Sequence, residues 1–271
     1  MNRDLLLGQF TPTWLGHILE CHDVLTSTNE RARRLLDELG PEAHGAVVFA
    51  DEQTGGRGRQ GRSWHSPPGL GLACSVALWA KDCPGGLQPI QLSGSLATLT
   101  ALRRTAGLEG RLKWPNDVLV DGKKVCGVLV ESRFLGHSPE GLVVGIGVNL
   151  SHRAEDFPPD LRATATSLLL AGGRKVAPES FAAALLSALV PLLEKGLADP
   201  PALVVLASTH WIHRVGDLLD LTTGSGPLRG TFVGLGQDGA LLMDVDGVRR
   251  AVHDGEVLRV RSAREGEGPG S

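Results

Sequence analysis

The chain contains no tyrosine, and aromatic residues make up only 4% of its 271 positions. Leu, Val and Ala must therefore fill the interior. Cysteine is scarce too. Cys21, Cys74, Cys83 and Cys126 form no C-x-x-C pair, which removes support for a structural zinc site. Four thiols in a chain this long do not make a disulfide scaffold; they read as buried free thiols of a reducing, cytoplasmic compartment. No apolar run reaches the ~18 residues of a membrane span. The first ten residues lack the long apolar segment and cleavage site of a signal peptide. Net charge is also small, 27 basic against 30 acidic residues, or −3. That argues against coating nucleic acid by bulk electrostatics.

Glycine is what the chain has in surplus, 36 residues in all. They follow no period, so collagen and simple repeat arrays are excluded. The length allows one large domain, or one domain with a small appendage. Ser27-Thr28-Asn29-Glu30 opens a helical pattern carried by Ala32, Leu35, Leu36 and Leu39, and Gly40-Pro41 ends it. Ser27 and Glu30 stand at capping-box spacing. Residues 46–50, 72–80 and 142–150 read as strands, and 88–106 as a helix. Val118-Leu119-Val120, Asp121-Gly122 and residues 125–130 spell a hairpin. Residues 151–166 are polar and Pro-rich and read as a mobile loop. Helical patterns follow near 178–195 and 200–212. After Gly216, five short apolar runs at 217–222, 228–235, 240–245, 248–253 and 256–261 alternate with turn residues, as in a small β-barrel. These observations divide the chain into domains at 1–215 and 216–263, with a disordered tail over 264–271.

Two segments carry chemistry. Gly55-Gly56-Arg57-Gly58-Arg59-Gln60-Gly61-Arg62 contains G-x-G-x-x-G, yet Pro67-Pro68-Gly69 follow where a dinucleotide fold needs a helix. Its glycines let backbone N–H groups approach an anion closely, and its arginines add bidentate donors. Trp64 offers a stacking surface. Phosphate or nucleotide binding, RNA binding and a plain solvated loop all fit this composition. The second segment is Lys113-Trp114-Pro115-Asn116-Asp117, whose last two residues offer oxygens to a cation or hydroxyl; a turn before the hairpin fits it equally. Lys123 and Lys124 lie on opposite faces of a strand, so one faces inward and needs an anionic partner.

Together these residues resemble the biotin protein ligases. The run Gly56 to Gly69 is similar to that family's signature loop. Lys113-Trp114-Pro115-Asn116-Asp117, Gly127-Val128-Leu129-Val130-Glu131 and Gly145-Ile146-Gly147-Val148-Asn149 resemble three further blocks, in the family's order, and Ser27-Thr28-Asn29 resembles an early one. The likeness covers about residues 20–260. It implies an α+β fold: a catalytic domain like that of class II aminoacyl-tRNA synthetases, a mixed sheet with flanking helices, then a small SH3-like β-barrel. It implies that biotin and ATP, with Mg2+, give biotinyl-5′-AMP, and that biotin then passes to a lysine of a biotin carboxyl carrier protein.

By that resemblance, Ser27, Thr28, Asn29 and Gln53 hold the biotin head group, with Gly127 beside them. Arg57, Gly58 and Arg59 line the biotin and adenylate site, and Lys124 contacts the biotin carboxyl and the α-phosphate. Lys124 and Arg57 are the catalytic candidates. Arg62, Trp64 and Asn149 join Arg59 around the nucleotide, and Asp117 is a candidate for organising magnesium. A Gly-rich loop closing over the adenylate would keep water from a labile mixed anhydride. The Ser-Thr-Asn block begins at residue 27, which leaves no room for the DNA-binding domain of repressor members, so no operator binding is expected. The resemblance leaves both a homodimer and a monomer open. The rivals are a lipoate-protein ligase-like adenylating enzyme and a nucleic-acid-binding module that uses Arg57, Arg59, Arg62 and Trp64.

Overall fold

Alternation of side chains along strands puts one face of a sheet in the core and the other wherever the chain leads it. The computed structural model describes residues 1–79, 86–135 and 138–261. Its elements are α1 (Arg3–Leu7), β1 (Leu19–Leu25), α2 (Thr28–Leu39), β2 (Val47–Gln53), β3 (Gly71–Trp79), α3 (Leu87–Ala106), β4 (Arg111–Lys113), β5 (Asp117–Val120), β6 (Lys123–Leu135) and β7 (Ser138–Asn149). There follow α4 (Leu168–Gly172), α5 (Pro178–Ala198), α6 (Pro200–Ala207), β8 (Leu218–Thr223), β9 (Gly226–Leu235), β10 (Leu241–Val245), β11 (Val248–Val252) and β12 (Glu256–Arg261).

The first seven strands form one mixed sheet in the order β1-β2-β3-β7-β6-β5-β4. Only β1 and β2 pair in parallel, with α2 as their crossover; the other neighbours are antiparallel. The fold is α+β with a mixed sheet, as expected. On one face, Val118, Cys126, Val128, Val144, Ile146 and Val148 join the main apolar core with α3 and α5. On the other, α2 packs Ala32, Leu35 and Leu36 on Val48, Ala77 and Val143. It covers the β1–β3 side and the first half of β7, and leaves the rest of the central strands open to the cavity described below. The hairpin forms with Asp121 (φ 50°) and Gly122 (φ 75°) in the left-handed conformation that a two-residue turn demands.

The remaining strands make a separate antiparallel sheet in the order β11-β10-β9-β8-β12. Its own core holds Leu219, Leu221, Phe232, Leu241, Met243, Val252 and Val257. All five apolar runs after Gly216 became strands. The last residues of the chain and Cys83 lie outside the described residues. Cys74 and Cys126 are buried free thiols and Cys21 is half-buried; burial pushes the Cys126 thiol up to about 12.

Several expectations need correction. Ser27 occupies the N-cap position, but its side chain makes no capping bond. Glu30 reaches forward to Arg34 instead, at 2.8 Å, because an i,i+4 ion pair is available to it. Residues 151–166 are anchored rather than loose. Lys124 N–H donates to Thr164 O and Thr166 N–H to Lys124 O, both at 2.8 Å, and Phe157 is buried against His152. The helix expected over 200–212 ends at Ala207, after a Pro200 start, and Trp211 then runs beside Leu112 in an isolated parallel bridge. Finally, α5 is long and apolar enough, at a mean hydropathy of 1.6, to cross a membrane by composition. Burial of Phe181, Leu185, Leu186, Leu189 and Leu193 in the core shared with α3 accounts for that composition. β1, β4, α1 and α4 carry too little periodicity to be read beforehand.

Two buried histidines give the fold a pH dependence. Burial pushes His152 down to about 4, helped by nearby His65. Burial does the same to His213, again to about 4, helped by Lys113. An unfolded histidine takes its proton near pH 6.5, so the unfolded chain binds more protons between pH 6.5 and 4. Stability is therefore complete above pH 6.5 and declines on acidification towards pH 4, by up to about 3 kcal/mol per histidine. Urea denaturation across that range is expected to show this decline; equal stability at pH 7 and pH 5 would contradict it.

Candidate active site

The open part of the sheet is floored by glycine. Along β7, Val144, Ile146 and Val148 point into the core, and Gly145 and Gly147 occupy the other face. A Cβ at Gly145 would lie 2.2 Å from Asn29 Oδ1, and one at Gly147 2.4 Å from the Trp64 indole. Neither position admits a larger residue without moving its neighbour. Above this floor lies a cavity of about 560 Å³, a volume typical of small-molecule sites. Every residue expected in the site lines it: Ser27, Thr28, Asn29, Gln53, Arg57, Gly58, Arg59, Arg62, Trp64, Asp117, Lys124, Gly127 and Asn149.

One end is lined by hydroxyls and amides. Ser27, Thr28 and Asn29 stand at the start of α2 and are all buried. Gln53, at the end of β2, accepts at Oε1 from the Thr28 N–H at 2.8 Å and from its hydroxyl at 3.1 Å. Ser75 on β3 lies 2.7 Å from the Thr28 hydroxyl and donates to Asn29 Oδ1 at 2.6 Å. Asn29 Nδ2 donates to Glu131 Oε2, also at 2.6 Å. The Asn29 amide is thereby held at both ends, which fixes its orientation. Sequence reasoning missed the roles of Ser75 and Glu131. Glu131 closes one of the family-like blocks and was visible there, whereas nothing around Ser75 marks it out.

The other end is cationic. Lys124, the inward lysine of its pair, places Nζ 2.6 Å from Asp117 Oδ1 and 5.7 Å from the centre of the Trp64 ring. Its expected anionic partner is thus Asp117. A Cβ on Gly127 would come within 3.2 Å of Nζ, so a glycine there leaves the ammonium its space. Arg57 lies towards the hydroxyl and amide end, 3.8 Å from the Glu131 carboxylate that also holds Asn29. Asn116 donates to Val128 O at 2.9 Å and accepts from the Val128 N–H at 3.0 Å through its own carbonyl; it supports the strand pair. Asn149 donates to Thr166 O at 3.0 Å and ties the 151–166 segment over the cavity. Among the described residues no three His, Cys, Asp or Glu side chains gather as a metal site, and Asp117 is engaged by Lys124.

The Gly-Arg loop is a small hairpin. Gly58 N–H donates to Arg62 O at 2.7 Å and Trp64 N–H to Gly56 O at 2.9 Å. A single 3-10 turn at Arg59–Gly61 stands where a dinucleotide fold would start a helix. Arg59 bonds to Asp254 and to Gly255 O, and Arg62 pairs with Glu256, so the loop is clasped by the turn between β11 and β12 and by the first residue of β12. The nucleic-acid reading needs Arg59, Arg62 and Trp64 displayed outward. Instead Arg59 is largely covered and paired with Asp254, Arg62 is exposed but paired with Glu256, and the indole rests on Gly147.

A family model described as the biotin/lipoate A/B protein ligase family matches residues 22–149. The bifunctional ligase/repressor BirA of Bacillus subtilis (strain 168) is 32% identical over 238 residues, covering 87% of this chain and 72% of its own. The chain belongs to the biotin/lipoate A/B protein ligase family. The biotin--[acetyl-CoA-carboxylase] ligase of Paracoccus denitrificans is a further relative, 34% identical over 86% of this chain and 96% of its own. A biotin protein ligase from Aquifex aeolicus, solved in complex with biotin and ATP, is similar with a TM-score of 0.75 at 30% identity, over 90% of this chain and 99% of that one. The family match runs from β1 to the end of β7 and so includes the strands that floor the cavity.

The glycine floor can be tested on stability alone. Gly145→Ala is expected to lower unfolding free energy by about 1–3 kcal/mol, because a rigid strand and Asn29 must separate. Gly58→Ala, whose Cβ would find ordinary contact at 3.5 Å, is expected to be near neutral in the same thermal melts.

Proposed function

We infer that this chain is an ATP-dependent biotin protein ligase. It forms biotinyl-5′-AMP from biotin and MgATP, then transfers the biotinyl group to a lysine of a biotin carboxyl carrier domain, such as that of acetyl-CoA carboxylase. The observation that carries this reading is the division of one cavity into two chemistries. A fixed array of hydroxyls and amides at Ser27, Thr28, Asn29 and Gln53 suits a ureido ring, which needs donors and acceptors in set positions. At the other end, Lys124 suits the meeting of two anions, and the family resemblance adds Arg57 to it.

In the first step the biotin carboxylate attacks the α-phosphorus of ATP, a P–O bond forms, and pyrophosphate leaves. Lys124 and Arg57 bring the anions together and stabilise the charge that builds on the phosphoryl oxygens. Asp117 aims the Lys124 ammonium. Trp64, Arg59, Arg62 and Asn149 would hold the nucleotide, with Gly58 and Gly127 leaving room for it. For the nucleotide phosphates to use Arg59 and Arg62, they must compete with Asp254 and Glu256. Magnesium enters with ATP, since it is commonly held through phosphates and one or two carboxylates. In the second step the acceptor amine attacks the acyl carbon, the mixed anhydride C–O bond breaks, and AMP leaves. The hairpin loop and the 151–166 segment would shield the anhydride from water until then.

We further propose that residues 1–215 form a class II synthetase-like catalytic domain and residues 216–263 an SH3-like barrel. Buried free thiols at Cys74 and Cys126 support a reducing, cytoplasmic setting.

Incubation with biotin, MgATP and a carrier domain is expected to biotinylate the carrier. Lys124→Ala is expected to reduce that rate by about a hundredfold or more. Biotin-dependent pyrophosphate exchange separates the lipoate alternative; exchange with lipoate and none with biotin would overturn the reading.

A further inference from the structure

We propose that Trp114 and His213 are positioning residues that set the active ammonium of Lys124 from within the second sheet. Trp114 stands between β4 and β5 of the large sheet, yet it is 1% exposed and buried in the small sheet's core, with Leu219, Phe232, Leu241 and Met243. Its indole N–H donates to Gly239 O at 3.3 Å. Its backbone N–H donates to His213 Nε2 at 3.2 Å. The side chain is thus held at its ring and the backbone at its amide.

His213 serves this bond in one protonation state only. Because Trp114 N–H is the donor, Nε2 accepts and the ring proton sits on Nδ1. That Nδ1 is buried and finds no hydrogen-bond partner among the described residues. The fold therefore tolerates an orphaned donor to keep an acceptor facing Trp114, and unsatisfied groups of this kind call for an explanation. The ring is fixed edge-on to Phe232 at 5.9 Å. The neighbouring Ile212 N–H bonds to Leu112 O at 2.9 Å, so Leu112 and Trp114 are both registered against the 211–213 segment.

From Trp114 to the ammonium the chain has little slack. Pro115 O accepts from Gln91 Nε2 at 2.8 Å, Asn116 is bonded to Val128 at both its carbonyl and its side chain, and Asp117 holds Lys124 at 2.6 Å. The placement of Asp117 is therefore set jointly by α3, by β6 and, through the adjoining Trp114, by the core of the small sheet. A small misplacement of a charged group aimed at a reacting phosphorus costs rate, not affinity, when the ground-state contacts lie elsewhere. Here the head-group contacts are on α2, β2 and β3, away from this route.

The inference rests on the ligase reading, and one experiment separates the two. Pyrophosphate exchange with saturating biotin and MgATP gives kcat, and calorimetry with biotin alone gives Kd. Trp114→Phe keeps an aromatic ring, though a smaller one, and loses the indole N–H. It is expected to lower kcat by about tenfold or more, with a smaller rise in biotin Kd because Lys124 also meets the biotin carboxyl. His213→Gln restores an acceptor without a titrating ring and is expected to stay near wild type, whereas His213→Leu falls with Trp114→Phe. A purely packing role predicts lowered melting temperatures with unchanged kcat, and that result would overturn the proposal. If Trp114→Phe does not fold, the His213 pair decides, and equal kcat for Gln and Leu overturns it. No exchange by the wild type would remove the ligase reading itself.

Discussion

The cavity depends on a constraint of the β-sheet. A strand that buries one face in a core must send its alternate residues to the other face. On β7 that other face is Gly145 and Gly147, and on β6 it includes Gly127, where side chains would have filled the space now bounded by Asn29, Trp64 and Lys124. The opposite face, carrying Val144, Ile146, Val148 and Val128, is fully committed to the core against α3. The same strands thus supply stability in one direction and room in the other. Because the period is two, a one-residue slip would place branched apolar side chains in the site. Register is consequently a functional property of this sheet as well as a structural one.

Around that floor, charge is arranged in pairs. Lys124 is held by Asp117, Arg57 lies near Glu131, Arg59 meets Asp254 and Arg62 meets Glu256. The net charge of −3 conceals this local balance. Cations gathered for two incoming anions would repel one another if left alone, and carboxylates beside them relieve that repulsion and aim them. Two of these carboxylates come from the turn after β11 and from the start of β12, so the small sheet takes part in the electrostatics of a cavity built mainly by the large one. Trp114 connects the sheets in the opposite sense, as a residue of the catalytic segment buried in the small sheet's core.

Much of this was readable in advance where local rules dominate. The five runs after Gly216 became strands because each alternates and ends in turn residues. The Asp121-Gly122 hairpin formed because only such a pair accepts positive φ at both positions. The inward lysine followed from alternation, and its need for an anionic partner from burial. Where competing local bonds exist, the reading went astray. Glu30 had the choice between a capping box and an ion pair with Arg34, and took the latter. Residues 151–166 look like a loose loop by composition, but backbone bonds to Lys124 and the burial of Phe157 hold them over the site.

By itself the sequence determined most of the elements and the Asp121-Gly122 turn, because propensity and alternation are properties of neighbouring residues; the residues that line the cavity were named through the family resemblance. Tertiary structure alone decided the partners: Ser75 and Glu131 fixing Asn29, Asp254 and Glu256 clasping the loop, and Trp114 leaving its own sheet to join the core of the other. Those pairings join positions from 46 to nearly 200 residues apart. Their geometry follows from how two sheets and their helices pack, and no local pattern in the chain encodes it.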